Sequence, residues 1–198
     1  MAAPIYHDPL VEQILAVHAE FEPPEGHKAE VIEGNIVLSP TPSRHHGKVY
    51  SRLHRQLHTL LPPHLDITTN VTLDVTATDE RYVPDLLVVH EDALESGEWL
   101  LDPADAELVA EIVSPSNSRN DRVVKVRGYA ASAVPVYLLI DPLEESVTLS
   151  FEPSDGMYQQ MGRVPFGTSI ALPPPYSGKL DTGAFISRAT SPDGTSDI

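Results

Sequence analysis

The chain has 198 residues, an apolar share of 41% and no cysteine, which fits one domain able to bury a core and excludes disulfides and thiolate metal sites. A formal charge of −16 weighs against broad electrostatic attachment to nucleic acid, so any phosphate contact has to come from local basic patches. The N-terminus has no basic segment followed by an apolar run, and no stretch is long enough to span a bilayer, so the expectation is a soluble, cytoplasmic protein.

In chain order, Asp8-Pro9 followed by Val11, Ile14 and Leu15 predicts a short capped helix, broken by Pro23-Pro24. Ala29 to Leu38 reads as a hairpin turning at Glu33-Gly34-Asn35. From Ser43 to Leu61 the spacing of Val49, Leu53, Leu57 and Leu60 predicts a helix with one buried stripe, stopped by Pro62-Pro63. Ile67 to Val75 alternates as a half-exposed strand, and Tyr82 to Val89 is a more continuously apolar, central one. Glu91 to Asp105 reads as a short helix or loop, and Glu107 to Val113 as a buried strand. Ser114 to Ser118 has turn chemistry and caps a helix over Arg119 to Ser132. Val134 to Ile140 returns as an apolar strand, and Val147 to Phe151, Met157 to Met161 and Ser169 to Leu172 extend the sheet as an antiparallel meander. Strands joined by a crossover helix and followed by a meander give an α+β or mixed α/β sheet. A single domain over residues 1–188 is expected, with a disordered tail from Ala189 onward.

Two of these apolar strands each carry one acid, Asp85 after Pro84 and Glu111 between Ala110 and Ile112. Unpaired carboxylates are costly there: two of them about 4 Å apart repel by roughly 4 kcal/mol at an effective dielectric near 20. A divalent cation removes that cost, and oxygen-only ligation favours magnesium or manganese. Side chains alternate along a strand, so Ile112 turns its own away from Glu111 and offers a metal only its main-chain carbonyl. Asp121, Lys125 and Tyr129 follow at four-residue steps on one helix face, which the short turn folds back toward Glu111. Lys125 is then the natural cation for a scissile phosphate or an attacking hydroxide. The basic residues cluster in two segments, Arg44, Lys48, Arg52 and Arg55, then Arg119, Arg122, Lys125 and Arg127.

The segments Glu30 to Pro40, His46, Val83-Pro84-Asp85, Val109 to Ser116, Asp121 with Lys125 and Tyr129, and Val134 to Pro142 together resemble the Uma-two family of predicted endonucleases. That family lies within the PD-(D/E)XK superfamily of restriction-endonuclease-like fold, and the likeness covers roughly Glu30 to Ile186. It implies a central mixed sheet flanked by helices, with an antiparallel C-terminal meander, and a magnesium- or manganese-dependent hydrolase of nucleic acid, DNA first, with a homodimer compatible. It implies metal ligation by Asp85 and Glu111, which the Ile112 carbonyl joins on the strand reading above, with Lys125 as the helix lysine, Glu30 as the N-terminal acid and His46 as the helix-start histidine. One departure concerns chemistry: Val113 stands where the superfamily's strand lysine would be, so activity depends on Lys125. The alternative is the same fold as a non-catalytic binding or regulatory module, favoured by the acidic surface and the missing strand lysine. A metal barrel built on histidines is excluded, because His45 and His46 are adjacent on a helix and cannot supply spaced strand ligands.

Overall fold

A computed structural model describes residues 9–186. The expected cap at Asp8, the domain end at residue 188 and the tail from Ala189 lie outside them. The elements run α1 (Pro9–Glu20), β1 (His27–Ile32), β2 (Asn35–Pro40), α2 (Arg44–His58), β3 (Leu65–Thr68), β4 (Thr72–Val75), β5 (Glu80–Tyr82), β6 (Leu86–His90), β7 (Leu100–Leu101) and β8 (Ala106–Ile112). They continue with α3 (Lys125–Ala131), β9 (Val136–Asp141), β10 (Ser146–Ser154), β11 (Met157–Pro165), β12 (Ile170–Ala171) and β13 (Lys179–Leu180).

Two sheets stack. The larger has the strand order β11-β10-β9-β8-β6-β3 and the smaller β2-β1-β5-β4-β7. Within the larger sheet β8 and β9 are parallel, joined by the crossover through α3, and the other neighbours are antiparallel. Period-two alternation divides its residues between two cores. Leu86, Val88, Leu108, Ala110, Ile112, Leu138 and Ile140 face the buried stripe Val49, Leu53 and Leu57 of α2. Leu87, Val89, Val109, Val113, Tyr137 and Leu139 face Tyr129 of α3 together with Ile32, Leu73, Val75 and Tyr82 of the smaller sheet. Burying each α2 aliphatic contributes about 1.5–3 kcal/mol, which fixes the helix against the sheet.

Three expectations change. The strand read over Ile67 to Val75 is two strands in different sheets, separated by Asn70 at φ 58°. The strand read over Tyr82 to Val89 likewise divides at Pro84, β5 in the smaller sheet and β6 in the larger. Neither pattern marks the break, because each half is buried in a different sheet. The meander is β9-β10-β11, but Ser169 to Leu172 does not extend it, since β12 pairs with β13 instead. The hairpin turn is as expected: Glu33 and Gly34 both have positive φ, at 48° and 69°, and join β1 to β2 across two residues. Among the described residues no helix is long and apolar enough to cross a membrane.

Candidate active site

The break at Pro84 builds the first half of the site. Lys28 and Glu30 share one face of β1. Glu30 accepts the Val83 N–H at 2.8 Å, and Lys28 donates to the Val83 carbonyl at 2.6 Å. Pro84 has no N–H to satisfy, and the Asp85 carbonyl accepts from Thr69 Oγ1 at 3.0 Å. Side chains thus replace the ladder along this link, so the chain can leave one sheet for the other with Asp85 at the corner. Asp85 Oδ2 accepts the Ile112 N–H at 2.8 Å, and Oδ1 lies 3.2 Å from His46 Nε2 and 3.7 Å from Lys28 Nζ. Burial raises the Asp85 pKa, but the His46 hydrogen bond, the Lys28 charge and the Ile112 N–H outweigh it, and the net shift is downward.

The second half is held by α3 and the turn before it. The helix expected over Arg119 to Ser132 begins with a widened π turn, Asn120–Val124, in which the Lys125 N–H reaches the Asn120 carbonyl. The Tyr137 hydroxyl donates to the Asp121 carbonyl at 2.7 Å and anchors this turn. Lys125 Nζ lies 2.7 Å from Glu30 Oε1, 2.9 Å from Glu111 Oε1 and 3.6 Å from Asp121 Oδ1, with its side chain 1% exposed. Tyr129 donates to the same Glu111 oxygen at 2.8 Å. The Lys125 ammonium sits 5.7 Å from the Tyr82 ring centroid, and Tyr82 packs edge-on to Tyr129 at 5.2 Å. That packing needs Gly128, because a Cβ there would come within 2.5 Å of the Tyr82 hydroxyl.

The four acids around this centre, Glu30, Asp85, Glu111 and Asp121, outnumber the two ammonium groups that meet them, Lys28 and Lys125. Burial lowers the Lys125 pKa, but the charges of Glu111, Glu30 and Asp121 outweigh it and hold the ammonium form well above its ordinary range. Burial, aided by Asp85 and Glu30, raises Glu111 despite Lys125. Burial and the Glu111 charge push Asp121 up to about 8, again against Lys125. Between its ordinary 3.8 and about 8 the folded metal-free protein therefore holds a proton that the unfolded chain releases, so Asp121 makes stability fall as pH rises through that window. Asp121→Asn should flatten this slope. Unfolding midpoints of the metal-free proteins should match below pH 4 and favour the variant at pH 9, whereas parallel midpoint curves would show that Asp121 ionises freely.

Asp85, Glu111, Ile112, Lys125, His46 and Asp121 all line one cavity of about 420 Å³, with Lys28 at its rim and the Ser114 to Asn117 turn over it. Glu30 is fully buried and meets the site only through Lys125 and the Val83 N–H, and its second oxygen has no hydrogen-bond partner. Among the described residues no three His, Asp or Glu side chains form a ready-made metal cage. Three carboxylates line the cavity, Asp85, Glu111 and Asp121, within an excess of negative charge that a hard cation would offset. Val113, in place of the strand lysine, is buried in the apolar core beside Tyr129.

Sequence reasoning passed over Lys28. Its signal was available, since it stands two residues before Glu30 and a strand puts both on one face. In the second basic cluster Arg127 is exposed, whereas the other three members have partners. Arg119 pairs with Glu33 at 2.8 Å, Arg122 with Asp141 at 2.7 Å and Glu144 at 3.2 Å, and Lys125 is buried. Of the first cluster, Arg44, Lys48 and Arg55 are exposed along α2, while Arg52 is tied to the Ala184 carbonyl.

Comparison with known proteins agrees with the resemblance. The sequence model of the Uma2 family, described as "Putative restriction endonuclease", matches residues 12–182. No curated protein matches. A crystal structure from Anabaena variabilis, described as a "putative nuclease belonging to DUF820", superposes with a TM-score of 0.67 at 18% identity, covering 88% of this chain and 96% of that one. At that identity the likeness is one of fold: a mixed α/β architecture with helices flanking the sheets.

Proposed function

This chain belongs to the Uma2 family, and from that premise we propose that it is a divalent-metal-dependent endonuclease hydrolysing nucleic-acid phosphodiester bonds at the cavity between Asp85 and Glu111. The observation that carries the reading is that two carboxylates, from the start of β6 and from β8, enter one cavity with a half-exposed ammonium and an imidazole at its rim. Asp85, Glu111 and the Ile112 carbonyl would hold magnesium or manganese. When bound, that ion neutralises phosphate charge and lowers the pKa of a water for in-line attack.

The chain's own residues divide the remaining work. Tyr129 and Lys125 both bond Glu111 Oε1 and so fix that carboxylate's orientation. Lys125, paired with Glu30, Glu111 and Asp121, sets the charge of the centre. Lys28, 27% exposed and 3.7 Å from Asp85, is the ammonium placed to bind a phosphate oxygen. His46 Nε2, 3.2 Å from Asp85 Oδ1, positions that carboxylate. Glu30 acts on the site through Lys125. DNA is the first substrate in view and the cytoplasm the expected compartment; a homodimer would be required only for cutting both strands of a duplex. Incubation with plasmid, single-stranded DNA and RNA in manganese tests the reading. Cleavage of at least one polymer is expected, and intact polymer throughout would favour the binding-module alternative.

A further inference from the structure

A second cavity of about 440 Å³ adjoins the proposed active site, and the two share a ridge that includes Lys28, Ser39, His46 and Asp85. Beyond the ridge its walls include Gly47 and Tyr50 of α2, Asn70 and Pro84. Gly47 is an unusual wall. It lies inside a regular helix, its N–H donating to the Ser43 carbonyl at 3.0 Å, where glycine is less stable than alanine. A Cβ at Gly47 would meet nothing within 4 Å, in contrast to Gly128, so packing does not demand the missing side chain. What the glycine leaves is room in the cavity. Tyr50 is half-buried, its ring centroid 5.9 Å from that of His54, and it gives the same cavity an aromatic wall.

Resting on the nuclease reading, we propose that this second cavity is a subsite for one unpaired nucleobase of a single-stranded polynucleotide, next to the phosphate that is cut. A volume of this size is that of a small-ligand pocket, about 300–1,000 Å³. Bases inside a duplex are stacked on both faces and present only their edges, so a walled pocket with an aromatic side serves a base already out of the stack. The ridge places Lys28 between the two cavities, where a strand crossing from one to the other puts its phosphate. DNA and RNA strands share this chemistry and are separate arms of the test.

Manganese-dependent cleavage of a single-stranded DNA, the matching RNA and a duplex is measured for the wild type, Gly47→Ala, Gly47→Leu and Gly47→Gln, with manganese affinity from calorimetry and unfolding midpoints as controls. The wild type should cut at least one single strand about tenfold faster than the duplex, in line with the worth of stacking one base. Gly47→Ala should raise the midpoint. Gly47→Leu and Gly47→Gln should slow single-strand cleavage about tenfold with manganese affinity unchanged. Wild-type rates in both larger variants, or equal rates on duplex and single strands, would overturn the subsite while leaving the nuclease reading intact. A wild type that binds manganese yet cuts nothing would take down that reading and the subsite with it.

Discussion

Replacing Lys125 by methionine is expected to lower the thermal unfolding midpoint by about 10 °C. Methionine keeps the length and apolar stem but removes the one ammonium that meets Glu30, Glu111 and Asp121 together. Breaking a buried ion pair by removing one partner costs about 3–5 kcal/mol, because the charge left behind has no solvent to turn to. In a domain of this length each kilocalorie moves the midpoint by roughly 2–4 °C. Neutralising a stranded acid should recover part of the loss, so Lys125→Met combined with Glu30→Gln should melt above Lys125→Met alone. If Lys125→Met melts with the wild type, the ammonium is not what holds these carboxylates together, and its position over the Tyr82 ring has no energetic meaning.

Asp85→Asn and Glu111→Gln are expected to reduce manganese-dependent cleavage by at least about 100-fold while leaving the fold in place. Losing a group that merely orients a metal ligand already costs about 10–100-fold, and each of these changes removes a proposed ligand's charge. The shape survives: an asparagine oxygen can still accept the Ile112 N–H, and a glutamine oxygen can still accept from Lys125 and Tyr129. Circular dichroism should therefore overlay the wild type. Cleavage undiminished in either variant would remove that carboxylate from the mechanism.

Much of this centre was legible because strand and helix periodicities act locally. Glu111 on an apolar strand, followed by Asp121, Lys125 and Tyr129 at helical spacing, was enough to bring the four together, and the structure joins them through a single ammonium and one hydroxyl. The π turn was not legible, since it depends on Tyr137 from the next strand reaching back to the Asp121 carbonyl. The division of the two expected strands at Asn70 and Pro84 between two sheets was hidden for a related reason: periodicity reports burial, and both sheets bury. Lys28 was missed because an exposed lysine on a hairpin is ordinary until the link that it ties, 55 residues away, is known to carry Asp85. Lys125 was legible as the helix cation of the centre, but the full set of its three acid partners was not, since Glu30 comes from a strand 95 positions earlier in the chain.

The central claim, that Asp85 and Glu111 together create a site for a hard divalent cation, is tested most directly by calorimetric titration of manganese into the wild type, Asp85→Asn and Glu111→Gln. Saturable binding to the wild type, weakened at least about tenfold in each variant, is the expected result. The same heats in all three proteins, or no heat in any of them, would contradict it.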